Sequence, residues 1–142
     1  MPASKYISIA ECGTLVTFLG VSSYGKFIQT PEERAKDVES YKILPHPAAK
    51  AISTVLPPLE SSLALALLIP RTRRIAAKGA GLVIATFAAT MASALSRGIV
   101  NDCGCFGALS RSRVSPALVA RNIALSGTAF HLSRNARQRD QL

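Results

Sequence analysis

Four apolar segments, each about as long as a membrane-crossing helix, dominate the chain. They cover about residues 7–25, 48–69, 75–96 and 114–133, close to the ~20 residues that a helix needs to cross the hydrocarbon core. The backbone finds no water inside a bilayer, so each segment is expected to be helical. The sequence therefore predicts an all-α fold, a four-transmembrane-helix bundle that forms a single integral membrane domain over residues 1–142.

Composition supports a membrane protein and argues against a nucleic-acid partner. Hydrophobic residues make up 49% of the chain and charged residues only 18%, which is low for a soluble domain. The net charge of +9 comes from clusters of Lys and Arg between and after the apolar segments, as in the loops of membrane proteins. No aromatic-rich basic motif or zinc-finger spacing accompanies them. We therefore expect the lipid bilayer, and no nucleic acid, as a partner.

The first apolar segment is the most polar of the four. Lys5 precedes it, as in a signal peptide, but Glu11 interrupts it and no clear Ala-x-Ala cleavage site follows. We predict that this segment is retained as the first span. Cys12 lies alone within it and is expected to be a small buried apolar residue.

The connection between the first two spans carries the signature of a short helix. Thr30 can cap this helix, Pro31 suits its first turn, and Glu33 completes a capping box. Three residues then share one face: Ala35, Val38 and Tyr41. We expect a short interfacial helix that lies along the membrane surface.

The positive charges favour one orientation in the membrane. Four spans divide the 17 Lys and Arg residues into eight on each side, with Arg121 inside the fourth segment. The dense block Arg71, Arg73 and Arg74 decides between the sides, because it lies in a short connection beside two span ends. We therefore expect a multi-pass protein of the bacterial cytoplasmic membrane, with both termini in the cytoplasm and the loop of residues 97–113 outside it.

That loop contains a pair of cysteines, Cys103 and Cys105, on either side of Gly104. Cα atoms two residues apart can reach the ~4.4–6.8 Å separation of a disulfide if the chain bends, and glycine permits the bend. A ring that encloses one residue is expected to be strained, and strained, exposed disulfides are the more oxidising ones. We predict a redox-active disulfide between Cys103 and Cys105, facing an oxidising compartment.

The neighbours of the two cysteines are expected to tune their reactivity. Three cations lie close in sequence: Arg97, Arg111 and Arg113. Cations favour the reactive thiolate form, whereas Asp102 opposes it or accepts a proton. Phe106 and Gly107 place an aromatic ring and a second flexible point beside the sulfurs. The alternative is a structural pair or two unreacted thiols.

A metal site is the competing chemistry for this loop. His46 is expected on the same side of the membrane, so Cys103, Cys105, Asp102 and His46 could offer four ligands. No second cysteine pair completes a zinc-binding spacing. We therefore favour redox chemistry and expect no metal.

Ionisable residues also lie inside the predicted spans. Glu60 lies in the second span, and Arg121 and Asn122 lie in the fourth. Charges in hydrocarbon are costly, so they usually pair or line a polar route. We expect Glu60 to pair with Arg121, and a pairing of Glu11 with Lys26 or Arg121 competes. An ion pair that locks the bundle is favoured over a proton relay through Glu60.

Four motifs of the chain occur together in one known family. They are Asp102-Cys103-Gly104-Cys105-Phe106-Gly107, Arg121-Asn122, Tyr41-x-x-Leu44-Pro45 and Pro58-x-Glu60. In these motifs, the chain resembles the MauE branch of the DoxX-like membrane proteins over about residues 13–133. The resemblance implies a four-helix membrane protein that works beside a thioredoxin-like partner in the maturation of methylamine dehydrogenase, a disulfide-rich enzyme. It also assigns thiol–disulfide exchange to Cys103 and Cys105.

Three functions are compatible with these observations. The first is a membrane thiol–disulfide relay or maturation factor that acts on an extracytoplasmic thioredoxin-like or disulfide-rich protein, with a quinone as a candidate electron acceptor. The second is a non-enzymatic membrane anchor or assembly subunit, and the third is a DoxX-like subunit of a quinone-reducing sulfur enzyme. In the first hypothesis the chain would be a thiol–disulfide oxidoreductase.

Overall fold

The structure, a computed structural model, describes residues 2–101 and 113–140. Five α-helices form this part of the chain, so the predicted all-α class is confirmed. The helices are α1 (Pro2–Phe27), α2 (Pro31–Glu39), α3 (His46–Leu68), α4 (Arg73–Ser96) and α5 (Pro116–Asp140). The long helices form a ring in which α1 packs against α3, α3 against α4, α4 against α5, and α5 against α1.

Three of the long helices can cross a membrane by their length and composition. These segments are Lys5–Phe27, His46–Leu68 and Arg73–Ser96, close to the first three predicted spans. Large apolar side chains on them point away from the bundle, among them Leu65 at 64% exposure and Leu82 at 62%. Such surfaces suit contact with lipid, because hydrocarbon chains favour apolar side chains.

The fourth predicted span coincides with α5, but α5 is not among the helices apolar enough to cross by composition. Arg121 and Asn122 lie in its first half, and its last turns are rich in polar residues. The count of four spans therefore stays a prediction.

Small residues allow α4 and α5 to approach closely. Gly81 on α4 is buried beneath the ring of Phe130, so that a Cβ at this position would lie 2.9 Å from the ring's Cζ. The hydroxyl of Ser126 on α5 donates a hydrogen bond of 2.9 Å to the carbonyl of Gly81. Close backbone approach at small residues is typical of helices that pack within membranes.

The helix α2 begins where the sequence predicts and packs against α3. The backbone N–H of Glu33 donates to the Thr30 hydroxyl at 3.2 Å, and the Glu33 carboxylate accepts from the Thr30 N–H at 3.0 Å. This confirms the capping box. Ala35 is fully buried, and Val38 and Tyr41 are half-buried, as the shared face requires. The position of α2 along a membrane surface stays a prediction.

The helix α3 continues through two adjacent prolines, Pro57 and Pro58. Proline has no backbone N–H, so the carbonyls of Ser53 and Thr54 lose their usual intrahelical donors. The two prolines lie two and three residues before Glu60, which contacts Lys26 of α1.

Candidate functional site

The predicted redox motif, Asp102, Cys103, Gly104, Cys105, Phe106 and Gly107, lies outside the described residues. The structure does describe both ends of its loop. The backbone N–H of Val114 donates to the carbonyl of Asn101 at 3.0 Å, which closes the loop at its base. The side-chain amide of Asn101 donates to the Ser40 hydroxyl at 2.9 Å. The base of the loop is therefore attached to the end of α2.

Arg97 provides a second attachment between the same two parts of the chain. Its Nη2 donates to the carbonyl of Tyr41 at 2.5 Å, and its Nη1 donates to that of Lys42 at 3.3 Å. Lys42 has a φ of 52°, a left-handed conformation that is uncommon for a residue other than glycine. The sequence suggested Arg97 as a cation near the cysteines, and the structure places its guanidinium on this turn.

A buried ion pair joins the end of α1 to the middle of α3. The Lys26 ammonium is 2.9 Å and 3.2 Å from the two carboxylate oxygens of Glu60. It also donates to the Ser22 hydroxyl at 2.6 Å, and that hydroxyl donates to Glu60 at 2.9 Å. Glu60 is fully buried, and the ring of Phe87 lies 5.2 Å from the ammonium. The three polar groups satisfy one another away from water, as a buried charge requires.

The predicted pairing of Glu60 with Arg121 is wrong. The carboxylate of Glu60 faces α1, whereas Arg121 lies on α5 and packs over the ring of Phe18, 5.6 Å from its centroid. The Nε and Nη2 atoms of Arg121 donate to the Oδ1 of Asn122 at 3.2 Å and 3.1 Å. Asn122 is fully buried. In the ring of helices, α3 contacts α1 and α4, so α5 lies across the bundle from Glu60.

The competing pairing of Glu11 with Lys26 or Arg121 is also wrong. Glu11 contacts the Nδ1 of His131 on α5 at 2.5 Å. Fifteen residues separate Glu11 from Lys26 on one helix, which is about 22 Å along the axis. The structure thus holds two separate polar contacts, Lys26 with Glu60 and Glu11 with His131, at different depths along α1.

Cys12 and His46 have local structural partners. Cys12 is buried, and its thiol donates to the carbonyl of Leu67 at 3.3 Å, which agrees with the predicted buried role. His46 contacts the carboxylate of Glu39 through Nδ1. The other members of the metal alternative lie in the loop outside the described residues, so that alternative stays untested.

A cavity of about 200 Å³ lies between α2, α3 and α4, next to the buried ion pair. Its walls are mostly apolar, and Lys26, Arg34 and Asp37 line it as well. Arg34 was not expected from the sequence. Its Nη1 donates to the carbonyls of Lys26 and Gln29, each at 2.9 Å. The spacing of Arg34, Val38 and Tyr41 could have indicated that Arg34 faces inward, because i, i+4 and i+7 share one helix face.

Comparison with known proteins gives a consistent family. The family model described as "Methylamine utilisation protein MauE" matches residues 4–133. The methylamine utilization protein MauE of Paracoccus denitrificans is 33% identical over 97 residues, which cover 68% of this chain and 52% of that protein. The corresponding protein of Paracoccus versutus is 37% identical over 94 residues, or 66% of this chain and 50% of that one.

A third relative extends the same comparison. The methylamine utilization protein MauE of Methylophilus methylotrophus is 34% identical over 110 residues, or 72% of this chain and 58% of that protein. The chain therefore spans about half the length of the curated relatives it matches. No solved structure matches it. The family model covers most of the chain, including the ion pair, the cavity and both ends of the cysteine loop, and the chain belongs to the MauE family.

Proposed function

We propose that this chain is a membrane thiol–disulfide relay, or maturation factor, in which Cys103 and Cys105 exchange disulfides with an extracytoplasmic protein. The observation that carries the proposal is the anchoring of their loop. Val114 closes the loop on Asn101, and Asn101 is bonded to Ser40. In the sequence, Cys103 follows Asn101 by only two residues, so the anchored residue directly adjoins the proposed exchange motif.

The proposed reaction is a pair of thiol–disulfide exchanges. A partner thiolate attacks one sulfur of the Cys103–Cys105 disulfide, which forms a mixed disulfide and releases the other cysteine as a thiolate. A second partner thiolate then attacks the mixed disulfide, so that the partner gains a disulfide and the chain is left with two thiols. Oxidation of the two thiols by a membrane quinone, which takes two electrons and two protons to become quinol, would restore the disulfide.

The proposed topology has four spans, with α5 as the fourth. Four spans bring the end of α1, the start of α3, the end of α4 and the start of α5 to one surface. The contacts of Arg97 and Asn101 with the connection after α2 support this arrangement. The opposite surface carries the basic connection between α3 and α4, which the positive-inside rule assigns to the cytoplasm. The cysteine loop would then face the oxidising side of a bacterial inner membrane.

Glu60, Arg121 and Asn122 are proposed as supporting residues of the bundle rather than as participants in exchange. Glu60 joins α3 to α1 through Lys26, and Asn122 accepts two hydrogen bonds from Arg121 inside α5. The first contact fixes α3 against α1, and the second lies on α5, the helix that follows the cysteine loop. A rigid support favours exchange because it limits the positions that the two sulfurs can take.

The partner is proposed from the family. The curated relatives are named for methylamine utilization, and we propose the same pathway for this chain. The resemblance favours a thioredoxin-like or disulfide-rich protein as partner, as in the maturation of methylamine dehydrogenase. Such a partner supplies the cysteine pair that the exchange reaction needs.

Trapping of the mixed disulfide tests this proposal. Cys103→Ser and Cys105→Ser each remove the second thiol that would resolve a mixed disulfide. One of the two variants is therefore expected to accumulate a covalent adduct with the partner. The adduct should disappear on reduction and in the double variant. Cys12→Ser is the matched control, because Cys12 is buried and bonded to Leu67, and this variant should retain exchange.

The same variants separate the relay from a membrane anchor. Retained maturation of the partner in the Cys103→Ser/Cys105→Ser double variant would reject the relay and favour a non-enzymatic assembly subunit. The absence of an adduct in both single variants would also count against the exchange reaction. Loss of maturation in Cys12→Ser alone would reject the assignment of the redox pair to the loop.

A further inference from the structure

Arg34 is a cation whose charge has no carboxylate partner among the residues that the structure describes. Its only described acceptors are the backbone carbonyls of Lys26 and Gln29, both bonded to Nη1. The Nε atom is buried and has no hydrogen-bond partner within that part of the chain. A buried donor left without an acceptor is costly, and it is more so on a charged group. Nε has almost no accessible surface, so Nη2, which makes no hydrogen bond within the described residues, is the donor left for a ligand, and an anionic oxygen satisfies it best.

The cavity next to Arg34 is suited to an apolar body. Most of its lining is aliphatic or aromatic, with Leu56 of α3 and Phe87 of α4 among the walls. Its volume of about 200 Å³ exceeds the ~150 Å³ of apolar cavities that take up benzene. The neighbouring cation Lys26 already faces the carboxylate of Glu60, and the carboxylate of Asp37, which also lines the cavity, accepts a hydrogen bond of 2.9 Å from the Gln29 amide. Arg34 is therefore the cation proposed to bind a head group.

A shallow groove of about 410 Å³ continues from the cavity along the outer face of α4. The two share Ile43, Thr86 and Thr90, and the groove extends from Ser93 to Leu82. Eleven residues of helix correspond to about 16 Å along the axis, which is about half the thickness of the hydrocarbon core. An extended acyl chain fits a path of this shape better than a compact ring does.

We propose that this cavity and groove bind a long-chain carboxylate amphiphile, such as a fatty acid, with its carboxylate on Arg34 and its chain along α4. The limited volume beside the guanidinium of Arg34 favours a carboxylate over the bulkier phosphodiester head group. The site requires no thiol chemistry, so it stands independently of the exchange reaction proposed above.

Photolabelling of the full-length chain in lipid nanodiscs tests the site. The probe is a palmitate that carries a diazirine on its chain, and the labelled peptides are identified by mass spectrometry. Labels are expected within residues 82–93 of α4 and around Ile43. Unlabelled palmitate should compete with the probe, whereas acetate and methyl palmitate should be at least about tenfold weaker, because one lacks the chain and the other lacks the charge.

Two variants and one control separate binding from folding. Arg34→Gln removes the charge and should weaken labelling about tenfold or more. Leu56→Trp fills the cavity from α3 without altering the hydrogen bonds of Arg34, and it should also abolish labelling. Arg71→Gln removes the same charge from an exposed position in the connection between α3 and α4, and it should label like the unmodified chain.

Several results would overturn the proposal. One is unchanged labelling in Arg34→Gln or in Leu56→Trp, and another is labelling that maps away from α4 and Ile43. Methyl palmitate that competes as well as palmitate would remove the need for a charged head group. A lysophosphatidate that competes about tenfold better than palmitate would replace the carboxylate with a phosphate.

Discussion

The Lys26–Glu60 ion pair should be the most sensitive polar contact of the bundle. Glu60→Gln keeps the volume of the side chain but removes its charge. The Lys26 ammonium directs hydrogen bonds to Ser22 at 2.6 Å and to Glu60 at 2.9 Å and 3.2 Å, and its side chain is only 9% exposed. Removal of one partner of a buried pair leaves an uncompensated charge, so we expect a loss of about 3–5 kcal/mol in the free energy of unfolding.

The double variant Lys26→Met/Glu60→Gln should recover most of that loss, because it removes both charges. Breaking a buried pair costs more than replacing it with groups of similar volume. The free energy of unfolding would be measured by titration with SDS in detergent micelles. The unmodified chain, Lys26→Met, Glu60→Gln and the double variant together give the coupling energy. We expect a coupling of at least about 2 kcal/mol.

An exposed ion pair provides the control for this cycle. Lys50 and Glu32 lie 3.5 Å apart, with side-chain exposures of 50% and 63%. Glu32→Gln should change the free energy of unfolding by no more than about 1 kcal/mol, because solvent screens exposed pairs. Two results would refute this prediction. One is a loss of unfolding free energy in Glu60→Gln no larger than that in Glu32→Gln, and the other is a loss in the double variant equal to the sum of the losses in Lys26→Met and Glu60→Gln.

Two further predictions concern packing and capping. Gly81→Ala should lower the free energy of unfolding by about 1–3 kcal/mol, since its Cβ would lie 2.9 Å from the Phe130 ring. Gly13→Ala, where nothing lies within 4 Å, should be neutral or stabilising in the same SDS titration, and equal losses at both glycines would contradict this account. Thr30→Ala should cost about 1 kcal/mol and speed hydrogen exchange in the first turn of α2, whereas unchanged exchange would show that the capping box contributes little.

Features that depend on nearby residues in the sequence were predictable. The lengths of the apolar segments predicted α1, α3 and α4, because a span needs a fixed number of apolar residues. The start of α2 was also predictable, because Thr30 and Glu33 form the capping box within one turn. The buried role of Cys12 followed from its position in an apolar segment.

Contacts between helices were not predictable from the sequence alone. Glu60 could have faced any neighbour of α3, and the choice of Lys26 depends on the rotation of both helices and on their relative depth. Glu11 was assigned the wrong partner for the same reason, because His131 comes close only when α5 packs beside α1. A sequence pattern fixes which residues share a face of one helix, but it does not fix which helix that face meets.

Arg34 shows a different limit. Its spacing with Val38 and Tyr41 places it on the inner face of α2, but a charged residue in a polar helix is normally expected in solvent. Only the packing of α2 against α3 creates a cavity beside it. The candidate ligand site is therefore a property of the tertiary structure.

The attachment of the cysteine loop to the turn after α2 has a thermodynamic consequence. Arg97 and Asn101 join the base of the loop to Tyr41, Lys42 and Ser40, and Tyr41 is also a wall of the cavity. A protein that docks on the loop and shifts its base would therefore reshape the cavity. This coupling would be reciprocal. If docking changes the affinity for an amphiphile by some factor, the amphiphile changes the affinity for the docked protein by the same factor. Lipid composition would then regulate how strongly the loop engages its partner.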